Sequence, residues 1–185
     1  DGTSAEVVHA DAMDLDFGRL LDRPPYKLVA NLPYNVATPL VMRLLQQVPQ
    51  VHEMLVMVQL EAAMRFAAAP SSKAYGSVSV RTQRYATAEV VTKIGANVFL
   101  PRPRVESALV RIVRRADVAL QEPGVFEDLV TAGFHQRRKM VRRSLALVAT
   151  LEQLEEAAIT ATDRAENLSL ADWERLAAVV EAGSD

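Results

Sequence analysis

Blocks of apolar and polar positions divide this chain into predicted elements. Ala5-Glu6-Val7-Val8-His9 alternates and predicts a short strand ending at Asp11-Ala12-Met13. The run Tyr26-Lys27-Leu28-Val29-Ala30 predicts a buried strand that stops at Asn31 and Pro33. Thr38 suits a helix cap, with Pro39 in the first turn and Leu40, Val41, Leu44 and Leu45 on one face. Met54 to Val58 is a second near-continuous apolar strand, followed by a helix from about Glu61 to Ala69. Strands and helices that alternate in this way predict a parallel sheet covered on both faces. Ser79 to Ala86 fits a helix or a strand. Glu89 to Ile94 and Ala108 to Val113 predict strands on either side of the link Phe99-Leu100-Pro101-Arg102-Pro103.

After Arg115 the strand signals cease. Helical spacing covers Val125 to about Val148, Leu151 to Thr160 and Ala171 to Glu181. The expected organisation is an α/β unit over 1–115 and a small all-α unit over 116–185. One conflict stands inside the second unit. Arg137 falls in the apolar stripe of Val130, Phe134, Val141, Leu145 and Val148, so either the helix breaks near Gln136 or Arg137 is half-buried with a partner. The break is the expected outcome.

Composition narrows the class only modestly. The 185 residues carry a net charge of −2, half are apolar, and neither figure points to nucleic acid. The distribution of charge does: ten of the 21 Lys and Arg residues lie between Arg102 and Arg143, against five acids there. The absence of Cys excludes disulfides and thiolate metal sites. His9, His52 and His135 show no ligand spacing, so no metal is expected, and no apolar stretch approaches the length of a membrane span. Asp1-Gly2-Thr3-Ser4 resembles no signal peptide.

The candidate chemistry lies where the second strand ends. Asn31-Leu32-Pro33-Tyr34 places a carboxamide, a bare carbonyl and an aromatic ring at the carboxyl edge of a sheet, where open α/β folds bind ligands. Two acceptors and a ring suit an exocyclic amine on a flat base. Asp11-Ala12, at the end of the preceding strand, offers a carboxylate and a backbone N–H to a nucleotide-like cofactor. A structural turn and a solvated Asp are the plain alternatives. Arg137, Arg138, Lys139, Arg142 and Arg143 put five cations in seven residues, which reads either as a solvated helix face or as a phosphate-binding surface.

The stretches DAM at Asp11, NLPYNVATPL at Asn31, SKAYG at Ser72, FLPRPRVESALVRI at Phe99, FHQRRKMVRRSL at Phe134 and RAENLS at Arg164 together resemble the ribosomal RNA adenine N6-dimethyltransferases of the KsgA/RsmA type. The resemblance implies a Rossmann-like methyltransferase sheet, N-terminally incomplete, followed by a small all-α C-terminal domain. It implies S-adenosylmethionine as cofactor, with Asp11, Ala12 and Asn31 binding it. It implies that Asn31 and Leu32 hold the target N6 while Tyr34 and Phe99 sandwich the base. Lys73, Tyr75, Arg102, Arg104, Arg137, Arg138, Lys139, Arg142 and Arg143 are the implied RNA contacts. The implied partner is small-subunit rRNA in the immature 30S subunit, met in the cytoplasm by a monomer, with dimethylation of two adjacent adenosines in the 3′-terminal hairpin.

The chain departs from the family at its start. No G-x-G occurs among its seven glycines, whereas the family carries a Gly-rich cofactor turn ahead of the region matched here. The 185 residues alone are therefore expected to bind cofactor weakly. Two other readings stand beside the main one: an Erm-type methyltransferase of large-subunit rRNA, and a ribosome-assembly factor acting mainly by binding rRNA.

Overall fold

The computed structural model describes residues 5–116, 118 and 124–183. Asp1–Ser4, and the residues 117 and 119–123 beside the expected unit boundary, lie outside this description. Strands β1 (Tyr26–Asn31), β2 (Val51–Gln59), β3 (Ala86–Ile94) and β4 (Ser107–Arg114) form a single sheet in the order β1-β2-β4-β3. β1 and β2 run parallel, but β4 is antiparallel to both β2 and β3, which corrects the expectation of a parallel sheet. The reason is topological. β3 is laid down one place away from β2, and the Pro-containing link then reverses the chain so that β4 returns into the gap. No strand forms at Ala5–His9: Val7 is 90% exposed, and an alternating pattern without a ladder partner leaves its backbone to water.

A short helix, α1 (Phe17–Leu20), precedes β1, capped by the Asp16 carboxylate on Arg19 N. The helix α2 (Tyr34–Gln47) starts directly after Pro33, not behind Thr38, and contains Pro39. Pro33 holds φ at −56° and its carbonyl accepts from Val36 and Ala37 N, which nucleates the first turn. Pro39 is exposed and sits early in the helix, while Ala37, Leu40, Val41, Leu44 and Leu45 are buried along one side. One lost backbone bond is outweighed by that face. Helix α3 (Leu60–Phe66) follows β2, and α4 (Ser77–Tyr85) resolves the ambiguous stretch as helix, passing straight into β3.

The larger core lies on one face of the sheet. Met54, Val56 and Val58 stand opposite Ile112, Val110 and Ala108, and α2, α3 and α4 cover them with Leu44, Leu45, Phe66 and Tyr85. The other face carries a charge ladder across all four strands: Lys27–Glu53 at 2.8 Å, Glu53–Arg111 at 2.6 Å and Arg111–Glu89 at 3.5 Å. Hydrogen bonds from Lys27 and then Arg111 hold the Glu53 carboxyl down at about 2.

A second core forms among α5 (Val125–His135), α6 (Val141–Ser144), α7 (Leu151–Glu156) and α8 (Leu170–Ala182). It also draws in Ala68, Tyr75 and Val80 from the first half of the chain. Both branches of the Arg137 alternative hold. α5 stops at His135, and Arg137 pairs through Nε with Glu166 Oε2 at 2.8 Å and through Nη2 with the Lys73 carbonyl at 3.0 Å. The chain re-enters the core at Val141, whose N–H donates to Asp163 O at 2.7 Å. Among the described residues no helix is long and apolar enough to cross a membrane, and no group of His, Asp and Glu could hold a metal ion.

Candidate active site

Asn31 ends β1 on the face away from the larger core, exposed and in register with Met57 of β2. Its carboxamide makes no hydrogen bond to a described residue. Leu32 donates its N–H to Met57 O at 3.2 Å and buries its side chain, but no backbone hydrogen bond from a described residue reaches its carbonyl. The sheet ladder stops one residue short, which leaves an acceptor without a partner beside an acceptor side chain. Tyr34 opens α2 and remains 40% exposed, with its hydroxyl hydrogen-bonded at 3.0 Å to the hydroxyl of the buried Ser107 at the start of β4. The ring is thereby fixed between two elements.

Phe99 comes from the other side. It follows a 3-10 turn at Ala96–Val98, is half-buried, and shares with Asn31, Leu32, Tyr34 and Met57 a cavity of about 350 Å³. That volume lies in the range of small-molecule sites. No ring contact joins Tyr34 to Phe99 among the described residues, and both side chains line this slot together with Asn31 and Leu32. The structure thus brings Asn31, Leu32, Tyr34 and Phe99 together. Ser107, which sequence reasoning did not single out, lies inside the quoted PRPRVES stretch and anchors one wall.

Asp11 and Ala12 do not line this cavity. They belong to a loop in which Asp11 Oδ1 accepts from Met13 N at 2.8 Å. Arg43, on α2, grips that loop: Nη1 donates to the carbonyls of Ala12 (3.3 Å) and Met13, and Nη2 to that of Leu15 at 2.7 Å. The same guanidinium lies 5.5 Å from the centroid of Phe17. Nothing in the helical pattern marked Arg43, which reads in sequence as an ordinary surface cation. A single helix therefore carries Tyr34 at its start and the clamp for the Asp11 loop about two and a half turns on. An exposed carboxylate that accepts, at Asp11, and a backbone N–H that donates, at Ala12, are the complement of the amine and ring nitrogen at the adenine end of S-adenosylmethionine.

The expected RNA contacts separate into two groups. Arg102, Arg104, Arg138, Lys139, Arg142 and Arg143 are exposed and form no ion pair among the described residues. Lys73 is exposed and faces a second concavity of about 860 Å³, shared with Arg65, Arg137, Met64 and Val90. Tyr75 is the correction. It is fully buried, its hydroxyl donates to Leu168 O at 2.9 Å, its ring meets Phe134 edge-on, and burial pushes its pKa up. It is a core residue that joins the SKAYG loop to the RAENLS stretch. Arg137 is largely committed to the same junction, alongside Asn167 Nδ2 on Ser71 Oγ at 3.1 Å.

Comparison with known proteins identifies the family. The family described as ribosomal RNA adenine dimethylase matches residues 1–181. A protein of Xanthomonas campestris pv. campestris named ribosomal RNA small subunit methyltransferase A is 39% identical over 176 residues, covering 94% of this chain and 67% of its own length. A protein of the same name from Aeromonas hydrophila is 39% identical over 175 residues, covering 92% of this chain and 65% of its own length. The chain thus spans about two thirds of the length of these relatives. Among solved structures, a dimethyladenosine transferase from Plasmodium falciparum superposes with a TM-score of 0.72 at 20% identity, over 81% of this chain and 64% of the other. The 23S rRNA methyltransferase ErmE superposes with a TM-score of 0.64 at 23% identity, over 95% of this chain and 72% of the other. These two share the fold, a Rossmann-like methyltransferase sheet with a helical C-terminal region. With the relatives' identity and the family match over nearly its whole length, the chain belongs to the ribosomal RNA adenine dimethylases, a family of S-adenosylmethionine-dependent methyltransferases.

Proposed function

We propose that this chain carries the acceptor site of an enzyme that dimethylates N6 of two adjacent adenosines in the 3′-terminal hairpin of small-subunit rRNA. Residues 1–115 supply the catalytic part and 116–185 the RNA-facing part, acting as a monomer on immature small subunits in the cytoplasm. One observation carries the reading: a carboxamide and a carbonyl without hydrogen-bond partners among the described residues line one cavity with Tyr34 and Phe99.

S-adenosylmethionine, when bound, supplies an electrophilic methyl group on a sulfonium sulfur. The chain's own contribution is placement. Tyr34 and Phe99 hold the flat base by its two faces, a contact worth roughly 1–3 kcal/mol per base. Asn31 Oδ1 and the Leu32 carbonyl accept the two amine N–H bonds, which draws the nitrogen lone pair out of conjugation and towards the methyl group. Transfer would form the N–C bond as the S–C bond breaks, leaving a neutral thioether, and the positively charged N6 would then lose one of its own protons to water. No strong base is required, so the rate comes from positioning and electrostatics. The Asp11 carboxylate and the Ala12 backbone hold the adenine end of the donor, kept in place by Arg43.

The test is methyl transfer from labelled S-adenosylmethionine to undermethylated small subunits, with the modified nucleotides mapped. Transfer to paired adenosines near the 3′ end of the small-subunit rRNA, lost by at least about a hundredfold in Asn31→Ala, is the expected result. Full transfer by Asn31→Ala overturns the site assignment. Methylation of large-subunit rRNA instead overturns the substrate assignment.

A further inference from the structure

The link from Gly95 to Glu106 projects an unusual residue beside the acceptor slot. Leu100 is 100% exposed while still lining the cavity mouth with Phe99, and Val98 and Val105 are 66% and 42% exposed nearby. Single exposed apolar residues are common and need no explanation. This one stands on a stiffened segment. Pro101 and Pro103 fix two φ angles just beyond it, Phe99 N donates to Ala96 O just before it, and Glu106 O accepts from Leu60 N where the link rejoins the sheet. The tip is therefore held in place without being packed. Arg102 and Arg104 follow at once, both exposed and without an ion pair among the described residues.

We propose that Leu100 is an apolar wedge that enters the RNA stack where the target adenosine leaves it, with Arg102 and Arg104 held to the flanking phosphates. The inference rests on the acceptor-site reading, since a wedge has work to do only if a base moves into the slot between Tyr34 and Phe99. Chemistry on a stacked base requires its extrusion, which costs unstacking free energy, and proteins that open stacks do so with inserted Leu, Phe, Ile, Met or Pro side chains. Leu100 meets that description by shape, exposure and position. Its ring neighbour Phe99 receives the base, and Leu100, one residue further along, fills the gap the base vacates.

The prediction is a substrate-dependent loss. With the whole protein, kcat/KM is measured on a folded stem–loop RNA carrying the target adenosines and on a short single-stranded RNA of the same target sequence, which needs no extrusion. Leu100→Ala lowers the ratio of folded to single-stranded kcat/KM by about tenfold or more, Leu100→Met restores it, and Leu100→Ser does not. The thermal midpoint stays put in all three, because the side chain is fully exposed. An unchanged ratio in Leu100→Ala, or an equal loss on both RNAs, overturns the wedge. Absence of transfer by the wild-type protein to either RNA overturns the acceptor-site reading itself and the wedge with it, so the two failures are told apart.

Discussion

The Arg114 guanidinium is buried and donates to four carbonyls: Nε to Val51 at 3.1 Å, Nη1 to Leu45 at 2.9 Å, and Nη2 to Leu44 at 2.9 Å and Val48 at 3.2 Å. Three of these acceptors close the C-terminal end of α2, where helix carbonyls lack partners and a cation is favoured. In sequence Arg114 is one more cation in the basic stretch, and it invites a phosphate-binding role that its burial excludes. Arg114→Met should destabilise the fold by about 2–4 kcal/mol in urea unfolding, because it leaves buried carbonyls unpaired. Arg114→Lys should recover only part of that, since an ammonium cannot reproduce the planar fork. The same distinction separates the rest of the candidate residues. That Asn31, Leu32 and Tyr34 line one cavity was legible because they are neighbours in sequence, whereas Phe99 was brought to them only by the family resemblance. Tyr75 and Arg43 were not legible, because a buried phenol and a clamping guanidinium are defined by partners 93 and about 30 positions away.

At the level of elements, apolar runs announced β1, β2 and β4, and the stripe on α2 announced its buried face. What the pattern left open was direction and pairing. Antiparallel β4 follows from a chain reversal that periodicity does not encode, and the start of α2 was set by Pro33 rather than by Thr38. The contact between α5 and α8 illustrates another silent determinant. A Cβ built on Gly133 would stand 2.5 Å from Trp173 Cη2 and 3.3 Å from Ala165 Cβ. Alanine gains about 1 kcal/mol of helix propensity over glycine. Overpacking against a rigid, fully buried indole costs about 1–3 kcal/mol, so the clash prevails. Gly133→Ala should lower stability in denaturant titration while leaving the cavity around Phe99 untouched; a stabilised variant would show that α8 has room to move.

On the scale of the whole molecule, a chain of net charge −2 presents a cationic patch, because Arg138, Lys139, Arg142 and Arg143 are exposed together beyond the end of α5. Phosphate contacts release counterions, so each one contributes roughly 0.7–0.9 to the slope of log affinity against log salt concentration. Replacing all four by Gln should flatten the salt dependence of rRNA binding by about 3–3.5 in filter-binding titrations from low to physiological salt. Replacing Arg137 alone should leave the slope nearly unchanged and lower the thermal midpoint, because its charge is already satisfied by Glu166. An equal slope change for Arg137 would mean that its ion pair opens to receive RNA.

The sharing of the second core has a consequence for how such proteins diversify. Ala68, Tyr75 and Val80 reach out of the α/β half and pack with Phe126, Trp173 and Leu176 of the helical half. A chimera that exchanged everything after residue 115 between two relatives would graft a foreign hydrophobic surface onto these three side chains. Recombination, natural or engineered, is therefore tolerated only when the segment around residues 68–80 travels with the helices that enclose it. The helical half is a packing unit with residues 68–80, not an interchangeable module that begins at a single point in the chain.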